Sequence, residues 1–476
     1  MEFEPVIGIE IHVEMKTKSK MFSSAEVAFG REPNTLIAPL DMAFPGTMPK
    51  VNRQAVKYAI RVCHALHMEI DHELWFDRKN YFYSDLPKGF QITQDKRPIG
   101  KNGYVTIETS TGKRQIAIER LHMEEDTAKQ IHLADFSMLD YNRAGTPLVE
   151  IVSRPDIRSG EEAMKYVEQI RSIVQYADVS DGKMEEGSLR CDVNVSIRPK
   201  GEEKLGTKVE IKNLNSLANV QKAIDYEVSR QQQLLLSGEQ VEQETRRFDE
   251  TEKKTVLMRK KTDAADYKYF TEPNIVPIRL SDEFVRQAIE ECPELAYVKK
   301  ERYLEQFHLS SYDADLLLNN KEVASYFDEA VKTCRSPKLL CNYLMVDYNA
   351  ILKKQELEIS KAKLSPVHLS ELMNLIEEGK LSSKQAKEVL AVIAESDESP
   401  EEVATRMHLI QVSDVSFLEE VIASVLEENP QSIVDYRNGK SRALGFLVGQ
   451  VMKKSKGKAN PSLTSEMLLK HLMEKE

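Results

Sequence analysis

The sequence predicts an α+β fold: an N-terminal domain of clustered antiparallel strands and separate helices, then an all-α helical domain and a small α-helical tail domain. Three observations carry this. From the start to about Pro293, short β-branched runs broken by Gly, Pro and Asn recur, as in Gly103-Tyr104-Val105-Thr106-Ile107-Glu108 and Arg114-Gln115-Ile116-Ala117-Ile118. Helical stretches interrupt them at 52–66, 159–177 and 218–237, where apolar residues recur at three-to-four spacing. After Pro293 the strand signals largely stop, and Ser399-Pro400, Asn429-Pro430 and Asn460-Pro461 each place a capping residue before an N1 proline. The polar stretch 395–399 lacks an apolar face and is the expected joint, so the expected domains are 1–293, 294–397 and 398–476.

The chain has 476 residues, more than one core usually serves. Its 41% hydrophobic and 30% charged content describe a soluble globular protein. The acidic start Met1-Glu2-Phe3-Glu4-Pro5 precedes no apolar signal region, and no stretch reaches the roughly eighteen apolar residues of a membrane span, so a cytoplasmic location is expected. Cys63, Cys191, Cys292, Cys334 and Cys341 are scattered without CxxC spacing, which argues against a disulfide framework and a thiolate zinc site. A net charge of -11 makes uniform attraction to nucleic acid unfavourable, so polyanion binding must come from a local patch.

Chemistry is concentrated in five strand-like segments that embed acidic groups in apolar sequence. In Gly8-Ile9-Glu10-Ile11-His12-Val13-Glu14, strict alternation puts Glu10, His12 and Glu14 on one face, with neighbours roughly 7 Å apart. Leu121-His122-Met123-Glu124-Glu125-Asp126, 147–152 with Glu150, 189–195 with Arg190, Asp192 and Asn194, and Val209-Glu210-Ile211-Lys212-Asn213 repeat the pattern. One such segment is an ordinary solvated strand face. Five sharing a sheet would need counter-charge, which magnesium with Arg190 and Lys212 supplies, making a site for a nucleoside triphosphate.

Other signals narrow the chemistry. Gly201-Glu202-Glu203-Lys204-Leu205-Gly206-Thr207-Lys208 has P-loop glycine spacing but reverses the final pair, and reads as a hairpin connection. No G-x-S-x-G elbow, redox CxxC or spaced His/Cys zinc set is present, so nucleophilic catalysis by the chain is not expected. The loops 78–90 and 140–147 are dense in glycine, proline and aromatics. Lys79, Lys88 and Arg143 suit phosphate, while the tyrosines suit either base stacking or a local aromatic core. Near the end, Arg437, Lys440, Arg442, Lys453, Lys454, Lys456 and Lys458 run without an intervening acid, and Gly445, Gly449 and Gly457 permit close backbone approach, a combination suited to RNA phosphates.

Taken together, 8–14, 78–94, 122–126, 140–153 and 184–194 closely resemble the B subunits of the aspartyl/glutamyl-tRNA amidotransferase family, and the similarity runs nearly end to end. The resemblance implies a cradle-shaped catalytic domain akin to glutamine synthetase, a helical domain and a tail that engages transfer RNA. It implies that ATP phosphorylates the side-chain carboxylate of Glu on tRNA(Gln) or Asp on tRNA(Asn), and that ammonia from a glutaminase A subunit displaces the phosphate, with a small C subunit completing a heterotrimer. By matched position it implies a metal and phosphoryl-transfer cluster of Glu10, His12, Glu125 and Glu150. Asp192 and Glu210 stand close behind, and Lys79 and Arg190 neutralise phosphate. Many members carry two cysteine pairs for zinc where this chain reads Phe22-Ser23-Ser24-Ala25 and Ala38-Pro39-Leu40-Asp41, so zinc is not expected and local packing must stabilise that segment. Two other readings fit the residues less well: a ligase acting on a free small carboxylic acid, against which the basic helical tail speaks, and a non-catalytic RNA scaffold.

Overall fold

The computed structural model describes residues 2–260, 266–410, 415–455 and 459–473. The chain forms two compact units, Met1–Ala296 and Tyr297–Glu476. In the first, strands run in the order β1 (Phe3–Glu14), β2 (Glu69–Ile70), β3 (Glu73–Leu74), β4 (Asp77–Asn80), β5 (Phe90–Thr93), β6 (Gly100–Thr109), β7 (Gly112–Glu125) and β8 (Lys129–His132). They continue with β9 (Ser137–Asp140), β10 (Pro147–Ser153), β11 (Leu189–Pro199), β12 (Val209–Lys212), β13 (Glu244–Asp249), β14 (Lys254–Lys260), β15 (Phe270–Thr271) and β16 (Ile278–Arg279).

Nine of these make one sheet in the order β14-β13-β12-β11-β1-β10-β7-β6-β2. All its pairs are antiparallel except β12 with β13, which a helix over Leu217–Leu236 bridges as a crossover. The purely antiparallel sheet expected from sequence is therefore mixed at that one pair, because a helix and not a tight turn separates the two strands. The segment 201–208 joins antiparallel β11 and β12, as the hairpin reading required.

The three sequence-read helices stand at α1 (Arg53–Ala65), α2 (Gly160–Tyr176) and α3 (Leu217–Leu236). Asn52, Ser159 and Ser216 cap their first backbone N–H groups. They cover one face of the sheet, with α2 on α3 and β6, and α3 on β11. That face carries Ile7, Ile9, Ile11 and Val13 of β1, Val149 and Ile151 of β10, and Val193 and Val195 of β11, all buried. Each such side chain contributes about 1.5–3 kcal/mol of burial, which fixes the register, since a one-residue slip would exchange it for a charged neighbour. The opposite face carries the polar alternates. A three-stranded sheet, β15-β4-β5, lies against the end of β7.

In the second unit the described elements are helices. The prolines at 400, 430 and 461 open helices Pro400–Arg406, Pro430–Arg437 and Pro461–Met473, as expected. The capping mechanism differs. Asn460 accepts from Leu463 N at 3.1 Å, whereas Asn429 turns its amide to Val425 O at 2.8 Å and Ser399 makes no side-chain cap. Nor is the stretch 395–399 loose. Asp397 ends helix Ser383–Ser396 in the left-handed region and accepts from Ser365 N at 2.7 Å and His368 Nδ1 at 2.8 Å, so it ties two helices together. Helix Pro400–Arg406 then packs on Pro366–Glu377 and Ser383–Ser396. A separate cluster of Leu418, Ile422, Val425, Leu447, Val451, Leu468 and Leu472 forms the core of the final helices. Among the described residues no helix is long and apolar enough to cross a membrane.

Candidate active site

The five acid-bearing segments are five consecutive strands of the large sheet, β12-β11-β1-β10-β7. Register then does the rest. His12 is paired with Arg190 on one side and Glu150 on the other, and Glu150 is paired with His122, so Arg190, His12, Glu150 and His122 form one row across the open face. His12 Nε2 lies 3.5 Å from Glu150 and 3.7 Å from Glu124, and His122 Nε2 lies 3.0 Å from Glu150 and 3.4 Å from Glu124. Two imidazoles thus interleave with two carboxylates.

The electrostatics follow from this packing. Burial disfavours charge on His122, but Glu150 and Glu124 outweigh it and push the imidazole up to about 9. His12 is raised in the same way, burial being overcome by Glu150 and Glu124. Glu150 answers in the opposite sense: burial would raise it, yet His122 and His12 hold it well below the usual carboxylate range. One row away, Glu10 accepts from Asn194 Nδ2 at 3.0 Å and is raised by burial, then by Glu150 and Asp192. Lys212 bridges Asp192 at 2.6 Å and Glu210 at 3.2 Å, and Glu210 also accepts from Thr245 at 2.9 Å. Glu14 and Asp126 share a further site. Burial and Asp126 raise Glu14, while Arg190 at 2.7 Å and Arg143 at 3.5 Å overcome burial and keep Asp126 ionised.

One ligand atom each from His12, Glu124 and Glu150 lies within 4.8 Å of the others, a spacing that fits a single divalent cation. Carboxylate oxygens suit magnesium, and an imidazole nitrogen in the set extends the fit to manganese. His122 Nδ1 and Arg190 Nε are buried with no hydrogen-bond partner among the described residues, so the basin retains donor capacity of its own.

Several predicted residues stand elsewhere. Glu125 does not join His12 and Glu150: it is on the opposite alternation of β7, where it is ion-paired with Lys88 and accepts from Ile92 N at 3.0 Å. Its neighbour Glu124 takes the place in the cluster, since side chains two apart on a strand share a face and His122 sets that face. Lys79 sits over the rings of Tyr267 at 4.9 Å and Tyr81 at 5.6 Å, on β4 of the small sheet. In the second unit Arg437, Lys440, Arg442, Lys453 and Lys454 are exposed, but Lys440 pairs with Asp435 and Lys454 with Glu428, while Lys456 and Lys458 lie outside the described residues. Reading the sequence put Glu14 on the face of Glu10 and His12 and singled out the segment 121–126, but it drew only Glu125 of that segment into the cluster and so missed His122, Glu124 and Asp126 as site members. The alternation of 121–126 held the signal for His122 and Glu124, because both share parity; no local signal announces the Glu14–Asp126 contact.

Residues 5–286 match the family model described as the GatB/GatE catalytic domain, and residues 325–472 match the GatB domain. A protein of Geobacillus thermodenitrificans (strain NG80-2), named as the B subunit of an aspartyl/glutamyl-tRNA(Asn/Gln) amidotransferase, is 49% identical over 473 residues, 99% of each chain. The protein of the same name from Bacillus cereus (strain AH187) is 48% identical over 472 residues, again 99% of each. With family models matching most of its length and relatives about half identical from end to end, the chain belongs to the GatB/GatE family.

Proposed function

We propose that this chain is the amidating subunit of an aspartyl/glutamyl-tRNA(Asn/Gln) amidotransferase. In this reading the γ-phosphoryl group of ATP passes to the side-chain carboxylate of Glu on tRNA(Gln) or Asp on tRNA(Asn), giving ADP and an acyl phosphate. Ammonia supplied by a partner A subunit then attacks the acyl carbon, phosphate leaves, and the amide forms. A small C subunit completes the heterotrimer, and the setting is the cytoplasm.

His12, Glu124 and Glu150 would hold magnesium, with Glu10, Asp192 and Glu210 beside them; bound there, the ion neutralises and orients phosphate oxygens. Arg190 and Lys212 border the basin as fixed cations for the transferred group, and Lys79, on β4 of the small sheet, would supply a further cation for phosphate. Residues 1–293 serve as the catalytic cradle of glutamine synthetase type, the helices from 294 through Pro400–Arg406 as the helical domain, and the final helices built on the Leu418–Leu472 core as the tRNA-binding tail. The boundary expected at 397 moves past helix Pro400–Arg406 because that helix packs on Pro366–Glu377 and Ser383–Ser396. In the tail, helix Arg442–Lys454 exposes Arg442, Gly445, Phe446, Gly449 and Lys453 along one side, where an added Cβ at either glycine would meet nothing, so a phosphate backbone can approach closely. One observation carries the reading: acids scattered in sequence from Glu10 to Glu210 converge on five adjacent strands and are flanked there by cations. The test is ATP-dependent amidation by the complex assembled with its companion subunits. Glu150→Gln should abolish amidation while leaving tRNA affinity unchanged; full amidation by that variant would overturn the assignment.

A further inference from the structure

Beside the cluster, the structure holds an aromatic group that the proposed chemistry does not use. Tyr81 follows β4, and residues 266–271 run antiparallel to that strand: Asn80 N donates to Tyr267 O at 3.0 Å and Asn80 Nδ2 to Lys268 O at 2.8 Å. Lys268 adopts φ +44, a left-handed turn that brings Tyr267 and Tyr269 into the same group. Tyr81 meets Tyr83 at 6.0 Å and Tyr267 at 5.9 Å, and Tyr267 meets Tyr269 at 6.1 Å, with interplanar angles of 63°, 72° and 73°. Each edge-to-face contact sets one ring's edge on the other's face, so Tyr83 and Tyr269, with one such contact each, keep a face for another planar ring at the margin of the group. Tyr83 is 59% exposed and Tyr269 37% exposed, which sets the group at a surface.

Lys79 completes it. Its ammonium stands over Tyr267 and Tyr81 and has no ion-pair partner among the described residues, unlike Lys88, Arg190 and Lys212 nearby. The small sheet links the group to the catalytic row: β4 pairs with β5, and Thr93 of β5 donates to Glu124 at 3.3 Å. Lys79 is paired with Gln91, two residues from Thr93, so it stands roughly 7 Å along the sheet from the strand position touching Glu124. Planar faces, an uncompensated cation and a nearby acidic basin are the parts that recognise a nucleobase joined to phosphate.

We infer that Tyr81, Tyr267 and Tyr269, with Lys79, form a seat for an adenosine, its base against the tyrosine rings and its phosphate on the Lys79 ammonium. The inference rests on the proposed function, whose two substrates both carry this group: ATP, and the terminal adenosine of tRNA. Stacking on a tyrosine is the shared chemistry, and the experiment separates the sources.

The assay uses the assembled complex and two probes, magnesium-ADP and tRNA(Gln) ending in either CCA or CC. Tyr267→Leu and, as a second variant on the exposed side, Tyr269→Leu should weaken one probe about 5- to 150-fold, the range of one base stack. Tyr267→Phe, which keeps the ring, should stay within about 2-fold of the parent. Loss of ADP affinity identifies the nucleotide; loss of the difference between CCA and CC ends identifies the tRNA terminus. Unchanged binding of both probes in both leucine variants, or a Tyr267→Phe variant as weak as Tyr267→Leu, overturns the inference. An unsubstituted complex that shows no ATP-dependent amidation would instead overturn the proposed function.

Discussion

Asp41→Asn removes one negative charge from the most deeply buried ion pair of the first unit and leaves the shape intact. The Lys20 side chain is fully buried and that of Asp41 is 2% exposed, with Nζ and Oδ2 3.2 Å apart. Asp41 also accepts from Ser23 Oγ at 3.2 Å and from Ala38 N at 2.8 Å, and an asparagine oxygen can keep both. The ammonium of Lys20 would then face a neutral amide oxygen and the Tyr141 carbonyl at 3.3 Å in place of a carboxylate. Breaking one side of a buried pair costs about 3–5 kcal/mol. Deprotonation sets a ceiling. A lysine of ordinary pKa 10.5 sheds its proton at pH 7 for 3.5 pH units at about 1.36 kcal/mol each, or about 4.8 kcal/mol. Burial already lowers Lys20, with Asp41 opposing, so the variant lowers it further. A lysine depressed in the folded state releases its proton first there, so stability of the variant rises with pH up to 10.5. At pH 9.5 the ceiling is about 1.4 kcal/mol. The assay is hydrogen exchange at Lys20 N, bonded to Ala25 O, and Met21 N, bonded to Gly145 O, corrected for intrinsic rates. A loss of protection near 3–5 kcal/mol at pH 7 that shrinks by pH 9.5 is expected; a penalty under about 1 kcal/mol, or one independent of pH, would refute the reasoning.

Three further outcomes are expected. Gly145→Ala should destabilise the same segment by about 1–3 kcal/mol in exchange or denaturation experiments, because its φ is +85 and the new Cβ would lie 3.0 Å from Asp41 Oδ1 and 3.2 Å from Lys20 Cδ. Asp397→Ala should loosen the second unit at neutral pH. Burial is outweighed by the Ser365 and His368 donors, so the carboxyl is depressed, its contribution is present above its ordinary value of 3.8, and melting of the unsubstituted protein should lose that contribution as pH falls through the folded-state pKa. Arg442→Glu together with Lys453→Glu should weaken tRNA binding and flatten its salt dependence by about two phosphate contacts, with nucleotide binding unaffected.

Much of this was legible because strand parity is a local property. The segment 8–14 announces which side chains share a face, and the three-to-four apolar spacing announces the positions of α1, α2 and α3 to within a residue. Sheet order is not local. Nothing in the five acid-bearing segments dictates that they lie side by side; that comes from burial of Ile9, Ile11, Val149, Ile151 and Val193 under the helices. The choice of Glu124 over Glu125 shows the boundary between the two kinds of information. Both carboxylates end β7, and family position favours Glu125, but parity with His122 gives Glu124 to the cluster and leaves Glu125 to Lys88. Likewise the Lys20–Asp41 pair, where packing alone was expected, joins residues whose contact depends on how the 140–147 loop folds back.

Equilibrium manganese binding to the unsubstituted chain, Glu124→Gln and Glu125→Gln tests the account most directly, since it reads the cluster without any companion subunit or turnover. Glu124→Gln removes a ligand and should weaken the ion at least about 10- to 100-fold, the loss that outer-shell partners alone cause, while Glu125→Gln should remain within about 3-fold. Binding destroyed by Glu125→Gln and preserved in Glu124→Gln would contradict the account.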